Sequence, residues 1–62
     1  MNWINIKTEQ MPLETHIIIS HQYGVDAICF TNGKWRYWYS FTPVDIETLK
    51  IITHWCYPEK AS

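Results

Sequence analysis

Residues 30–41 read FTNGKWRYWYSF, which gathers six of the ten aromatic side chains of a 62-residue chain around one Asn-Gly pair. A two-residue type I′ turn requires positive φ at both central positions, and Asn followed by Gly meets that requirement at the lowest cost. Asn32-Gly33 therefore predicts a tight hairpin between residues 25–31 and 34–40. The turn also sets a register: Thr31 opposite Lys34, Phe30 opposite Trp35, Cys29 opposite Arg36, Ile28 opposite Tyr37 and Ala27 opposite Trp38. Alternation then divides the hairpin into two faces. Phe30, Ile28, Trp35, Tyr37 and Tyr39 form the expected core face, while Val25, Ala27, Cys29, Thr31, Lys34, Arg36 and Trp38 form a mixed outer one.

Upstream, His16 to His21 holds three consecutive isoleucines, the composition of a central strand covered on both faces, and Tyr23-Gly24 turns the chain into the next strand. Residues 2–6 alternate weakly and suit a short strand anchored by Trp3. The polar run from Lys7 to Glu14 carries Pro12 and reads as a loop, with Met11 or Leu13 tucked under the sheet. Downstream, Thr42-Pro43-Val44-Asp45 has the pattern of a helix start, with Thr as N-cap, Pro at the first position and an acid following. A short helix is expected near residues 43–49. Ile51 to Tyr57 returns to strand composition and stops at Pro58, and the tail Glu59 to Ser62 is expected to fray. The expected fold is a small, mainly β, α+β domain spanning residues 1–62: a curved antiparallel sheet of four to five strands, the Asn-Gly hairpin at its centre, and one short helix.

Composition narrows the function classes. A net charge of −1 supplies no basic stripe for a run of phosphates, so long duplex nucleic acid is not an expected partner. The longest aliphatic run is Ile17-Ile18-Ile19, far below the roughly 20 residues of a bilayer span, so no membrane is expected either. Cys29 and Cys56 lack C-x-x-C spacing, and the first residues lack the order of a signal peptide, which reads as a cytosolic protein with reduced thiols.

Several constellations could carry chemistry. His54 and Cys56, with Cys29, His16 and His21 nearby, supply zinc-type ligands, but the paired short spacings of structural zinc sites are missing, and buried or hydrogen-bonded roles fit better. Cys56 and His54 could be nucleophile and base, yet so small a sheet has little volume for a water-excluding cavity. Asp26, Asp45, Glu47 and Glu59 form no acid and base pair, and no Gly-rich phosphate loop occurs. Neither an enzyme nor a cofactor is expected. His54 is expected to bond a turn carbonyl, and Trp55 and Trp3 to pack in the core against Trp35. What remains is an exposed aromatic and cationic patch of Arg36, Trp38, Lys34 and Tyr23, residue types enriched at interface hot spots and equally suited to stacking on a nucleobase.

Three groups of residues, taken in order, resemble a family of very short phage and prophage proteins built on a domain of unknown function. They are Trp3-Ile4; Met11-Pro12 followed by Ile17 to Ile19; and Gly33-Lys34-Trp35 answered by Thr53-His54-Trp55 before Pro58. The family pattern has a Trp-Ile start, Leu-Pro, an aliphatic strand, a Gly-x-Trp hairpin and a closing Thr-His-Trp-x-Pro segment, so the resemblance covers nearly the whole chain. Met11 stands where the family prefers Leu, and Tyr57 with a single Pro58 stands where a Pro-rich ending is usual. The resemblance implies a phage or prophage origin and brings no catalytic residues. It leads to the expectation of a non-catalytic accessory protein that acts in the host cytoplasm. Such a protein would bind and inhibit or modulate a host protein, such as a defence component, as a homodimer or higher oligomer. The alternative is an oligomeric sponge for a nucleotide-derived signalling molecule, with Trp38 or Tyr39 on the base and Arg36 or Lys34 on phosphate.

Overall fold

The computed structural model describes residues 2–58, so the expectation of a frayed tail at 59–62 lies outside the described residues. The fold is mainly β: five antiparallel strands in one open sheet with a single short helix. In chain order these are β1 (Ile4–Asn5), β2 (Ile17–His21), β3 (Gly24–Thr31), β4 (Lys34–Tyr37), α1 (Ile46–Ile51) and β5 (His54–Cys56), and the sheet order is β1-β5-β2-β3-β4. Among the described residues, no helix is long and apolar enough to cross a membrane.

The hairpin forms as the turn chemistry requires. Asn32 and Gly33 adopt φ 53° and 78°, and the four pairs from Ile28↔Tyr37 to Thr31↔Lys34 hold the expected register. β4 nevertheless ends at Tyr37, short of the expected residue 40. Trp38 adds one more rung, donating its backbone N–H to the Ala27 carbonyl at 3.1 Å. The chain then turns through Phe41, itself at φ 57°, and residues 42–44 come back along β4. Tyr37 N–H donates to the Thr42 carbonyl (3.1 Å), Val44 N–H donates to the Trp35 carbonyl (2.9 Å), and Arg36 bridges to Pro43. This turn carries Tyr39 away from the core face on which alternation placed it. It is 73% exposed and stacks on Tyr37 with ring centres 5.4 Å apart.

The same return segment moves the helix start. Thr42 and Pro43 are used in pairing beside β4, where a proline's missing donor is harmless at a sheet edge. The helix begins three residues later than a Thr42 cap implies, after Asp45 as N-cap, whose side chain makes no capping bond.

The main apolar cluster lies on the helix face, while Cys29 and Cys56 are buried on the other. Ile17 and Ile19 of β2, Ile28 of β3 and Trp55 of β5 meet Val44 and Ile52, with Met11, Leu49, Trp35 and Tyr37 packed around them. The Trp55 indole N–H donates to the Glu9 carbonyl at 3.1 Å, which ties the loop after β1 to the same side. Of the two candidates to tuck under the sheet, Met11 does so and Leu13 stays 54% exposed. The β2–β3 turn falls on Gln22 and Tyr23, one residue earlier than expected, with Gly24 (φ 136°) opening β3. His21 braces it: Nδ1 accepts the Tyr23 N–H at 3.2 Å, which leaves Nε2 to donate to the Asp26 carboxylate at 2.8 Å.

Trp3 departs from expectation. Ile4 lies opposite Trp55 and takes the core face, so alternation turns Trp3 to the other side, where it is 39% exposed. It cannot pack on Trp35 either, because β1 and β4 are the two opposite edges of the sheet.

Candidate functional site

The second face of the sheet follows from register. Ile18 pairs with Cys56 on one side and Ala27 on the other, and one step beyond the β1 and β4 ladders stand Trp3 and Trp38, beside Cys56 and Ala27. An apolar row thus crosses the sheet from a tryptophan at one edge to a tryptophan at the other. Asn5, His54, Ser20 and Val25 form the neighbouring row on one side, and Cys29 with Arg36, joined by His16 before β2, forms it on the other.

Trp38 lies folded back over this face instead of projecting from it. Its indole N–H donates to the Ile28 carbonyl at 2.7 Å, and its ring meets His16 edge-on at 4.7 Å and 68°. The indole therefore crosses β3 towards β2, and Cys29 is only 7% exposed. Arg36 is half-buried. Its Nη1 donates to the Phe41 carbonyl at 2.9 Å, while Nε is buried with no acceptor. The ion pair among the described residues is His21–Asp26, so the guanidinium has no carboxylate opposite it. Asp26 lies on the core face, Asp45 and Glu47 at the helix start, and Glu9 in the loop after β1. Glu14 stands at the end of the second face, lining a cavity of about 330 Å³ with His16, Cys29 and Phe41.

Of the four residues expected to form one exposed patch, Arg36 and Trp38 share this face, half-buried rather than open. Lys34 is exposed at the hairpin tip. Tyr23 is 81% exposed but precedes β3 at its far end, on the order of 25 Å away along an eight-residue strand. Trp3 and His16 belong to the surface and were not assigned to it from sequence. Neither was readable from sequence: the face of Trp3 follows only once Ile4 is paired with Trp55, and that of His16 only once Ile17 is paired with Ile28.

His54 bonds a hydroxyl, not the expected turn carbonyl. Thr53 Oγ1 donates to the Ser20 carbonyl (3.3 Å), so His54 Nδ1 donates to Thr53 Oγ1 at 3.0 Å. Both cysteines are buried and no disulfide joins them. Among the described residues, no three His, Cys, Asp or Glu side chains converge as metal ligands. Tyr39 holds its proton above the ordinary 10.0, through lost hydration first, then the Asp26 carboxylate, then Tyr37. Compared with protein-family models, curated proteins and solved structures, the chain matches none.

Proposed function

We propose that this is a small non-catalytic binding protein, of the phage accessory kind that the resemblance implies, acting in the host cytoplasm. It attaches through the sheet face opposite the helix to an acidic surface of a host protein, such as a defence component, and inhibits or modulates it. The observation that supports this reading is Arg36: a half-buried guanidinium with an orphaned Nε–H and, among the described residues, no carboxylate partner. A buried donor without an acceptor is costly, and a carboxylate from a partner would satisfy it through charge-assisted, bidentate bonds. Trp3 and Trp38 at the two edges add large apolar area with little side-chain entropy to lose. The molecule measures 27 × 26 × 20 Å, so its broad face offers roughly 700 Å², close to the roughly 800 Å² per partner of a standard interface. Exposed Tyr39 and Ile46 are available for homodimerisation.

The test is capture from host lysate followed by affinity measurement on the captured protein. Arg36→Ala should weaken binding by about 30-fold, the loss of one hot-spot residue worth about 2 kcal/mol. Full retention of affinity by Arg36→Ala would overturn the proposed surface. The sponge reading predicts instead that a panel of cyclic and linear nucleotides raises the melting temperature. It is disfavoured by Trp38, whose N–H and one flank are already engaged.

A further inference from the structure

The β2–β3 turn, at the opposite end of β3 from the Asn-Gly hairpin, holds a histidine whose two ring nitrogens are both committed. A backbone N–H can only donate, so the bond from Tyr23 N–H to His21 Nδ1 at 3.2 Å fixes that nitrogen as an acceptor. The single proton of the neutral ring therefore sits on Nε2, 2.8 Å from the Asp26 carboxylate. The Asp26 contact joins β2 to β3 and is largely shielded, with side chains 8% (His21) and 28% (Asp26) exposed. The Tyr23 contact belongs to the turn itself, Gln22-Tyr23. The two bonds respond in opposite ways to a second proton, because an imidazolium donates at both nitrogens. The bond from Nε2 to Asp26 becomes a full ion pair and strengthens, whereas Nδ1–H would point at the Tyr23 N–H, donor against donor.

We propose that His21 is an acid-operated latch on this turn: its protonation releases the Tyr23 amide and loosens residues 22–23 while the ring stays anchored on Asp26. A flip of the ring would relieve the donor-donor contact only by breaking the Asp26 pair, the stronger of the two contacts once the ring is charged, so the backbone yields instead. Little opposes that movement, since Tyr23 is 81% exposed and its ring meets His21 edge-on with centres 6.2 Å apart. The charged and titratable groups around the ring are Asp26 on β3, with the Tyr39 phenol and its neighbour Tyr37 in the field of that carboxylate, and Lys7, Lys50 and His54, which border the cavity of about 600 Å³ that His21 also lines. These groups set the pH at which the ring titrates, and the bond geometry sets what the turn does when it happens. The latch is separate from the surface around Arg36 and operates whether or not that surface binds a partner.

The experiment is an NMR pH titration of the whole protein that follows the ring nitrogen shifts of His21 together with the protection of the Tyr23 amide against exchange, referred to the random-coil rate at the same pH. The neutral ring is expected to carry its proton on Nε2, and Tyr23 protection should fall about tenfold along the His21 titration curve. The amides of Ile19 and Ile28, in the core, should stay protected over the same range, which separates a local release from unfolding. His21→Asn places an amide oxygen where Nδ1 stood, an acceptor that does not protonate, and should keep Tyr23 protected with no pH dependence. A neutral ring with its proton on Nδ1, Tyr23 protection unchanged as the ring charges, or a ring that stays neutral until the whole protein unfolds would each overturn the proposal. So would the same pH profile in His21→Asn, since the release would then come from another group.

Discussion

Trp55 and Trp38 both spend their indole N–H on a backbone carbonyl, Glu9 for one and Ile28 for the other, yet their environments differ. Trp55 is 1% exposed among isoleucines, so Trp55→Ala should cost about 3–5 kcal/mol. That is comparable with the whole stability of a domain this size, at roughly 0.05–0.15 kcal/mol per residue. Trp38→Phe retains much of the ring and leaves the Ile28 carbonyl without its indole donor, for a loss of about 1–2 kcal/mol. Trp3→Ala, at the exposed edge, should change stability by less than about 1 kcal/mol. Urea melts of the three variants check this ranking, and a largest loss at Trp3 would mean that the two faces are exchanged. Tyr39 supports a pH prediction. Its raised phenol favours the neutral form in the folded state, so its contribution is complete below 10.0 and is lost as pH rises through the higher folded value. The fall in stability above about pH 10 should be shallower in Tyr39→Phe, by a small margin for so exposed a ring. At this scale residue type told little. Trp3 and Trp55 look alike in sequence, and only the strand pairing that sets Ile4 opposite Trp55 sends one to the core and the other to the surface.

At the scale of elements, the hairpin was legible because its determinant is local. Asn32-Gly33 needs no knowledge of the remaining chain to set its register. Gly33 sits at φ 78° with open space where a Cβ would stand, so Gly33→Ala tests backbone strain alone and should destabilise by about 1–2 kcal/mol in a thermal or urea melt. The helix start was not legible, because Thr42-Pro43 suits an edge segment as well as it suits a cap. What decides between them is the bond from Val44 N–H to the Trp35 carbonyl, made by residues well separated in sequence. Asp45→Ala should accordingly cost only a few tenths of a kcal/mol, below the usual loss of about 1 kcal/mol, since no side-chain bond caps the helix. The end of β4 at Tyr37 was equally hidden, because the positive φ of Phe41 has no signature in an aromatic residue.

For the whole molecule, the sequence made an antiparallel sheet with one helix readable through β-branched runs and turn residues, but it gave no strand order, and the candidate surface depends on that order. Arg36 and Trp38 were visible as leftovers of the core pattern; that Trp38 folds over Cys29 towards His16, and that Trp3 completes the row, required the sheet to be assembled. Self-association is the prediction at this scale. Large side chains at Tyr23, Tyr39, Phe41 and Ile46 are more than half exposed, and light scattering at high micromolar concentration should report a dimer. The place of β5 between β1 and β2 carries a further consequence, for synthesis. Among the described residues β1 pairs only with β5, with Ile4 opposite Trp55, so the first of the five strands waits for the last. Trp55, the largest fully buried side chain, arrives with it. A nascent chain that has emerged only as far as the helix would hold a hairpin and β2 but no closed core, with its row of isoleucines uncovered. Folding must then follow translation through this region instead of accompanying it, and the isoleucine strand is the segment a chaperone or an aggregating neighbour would meet first.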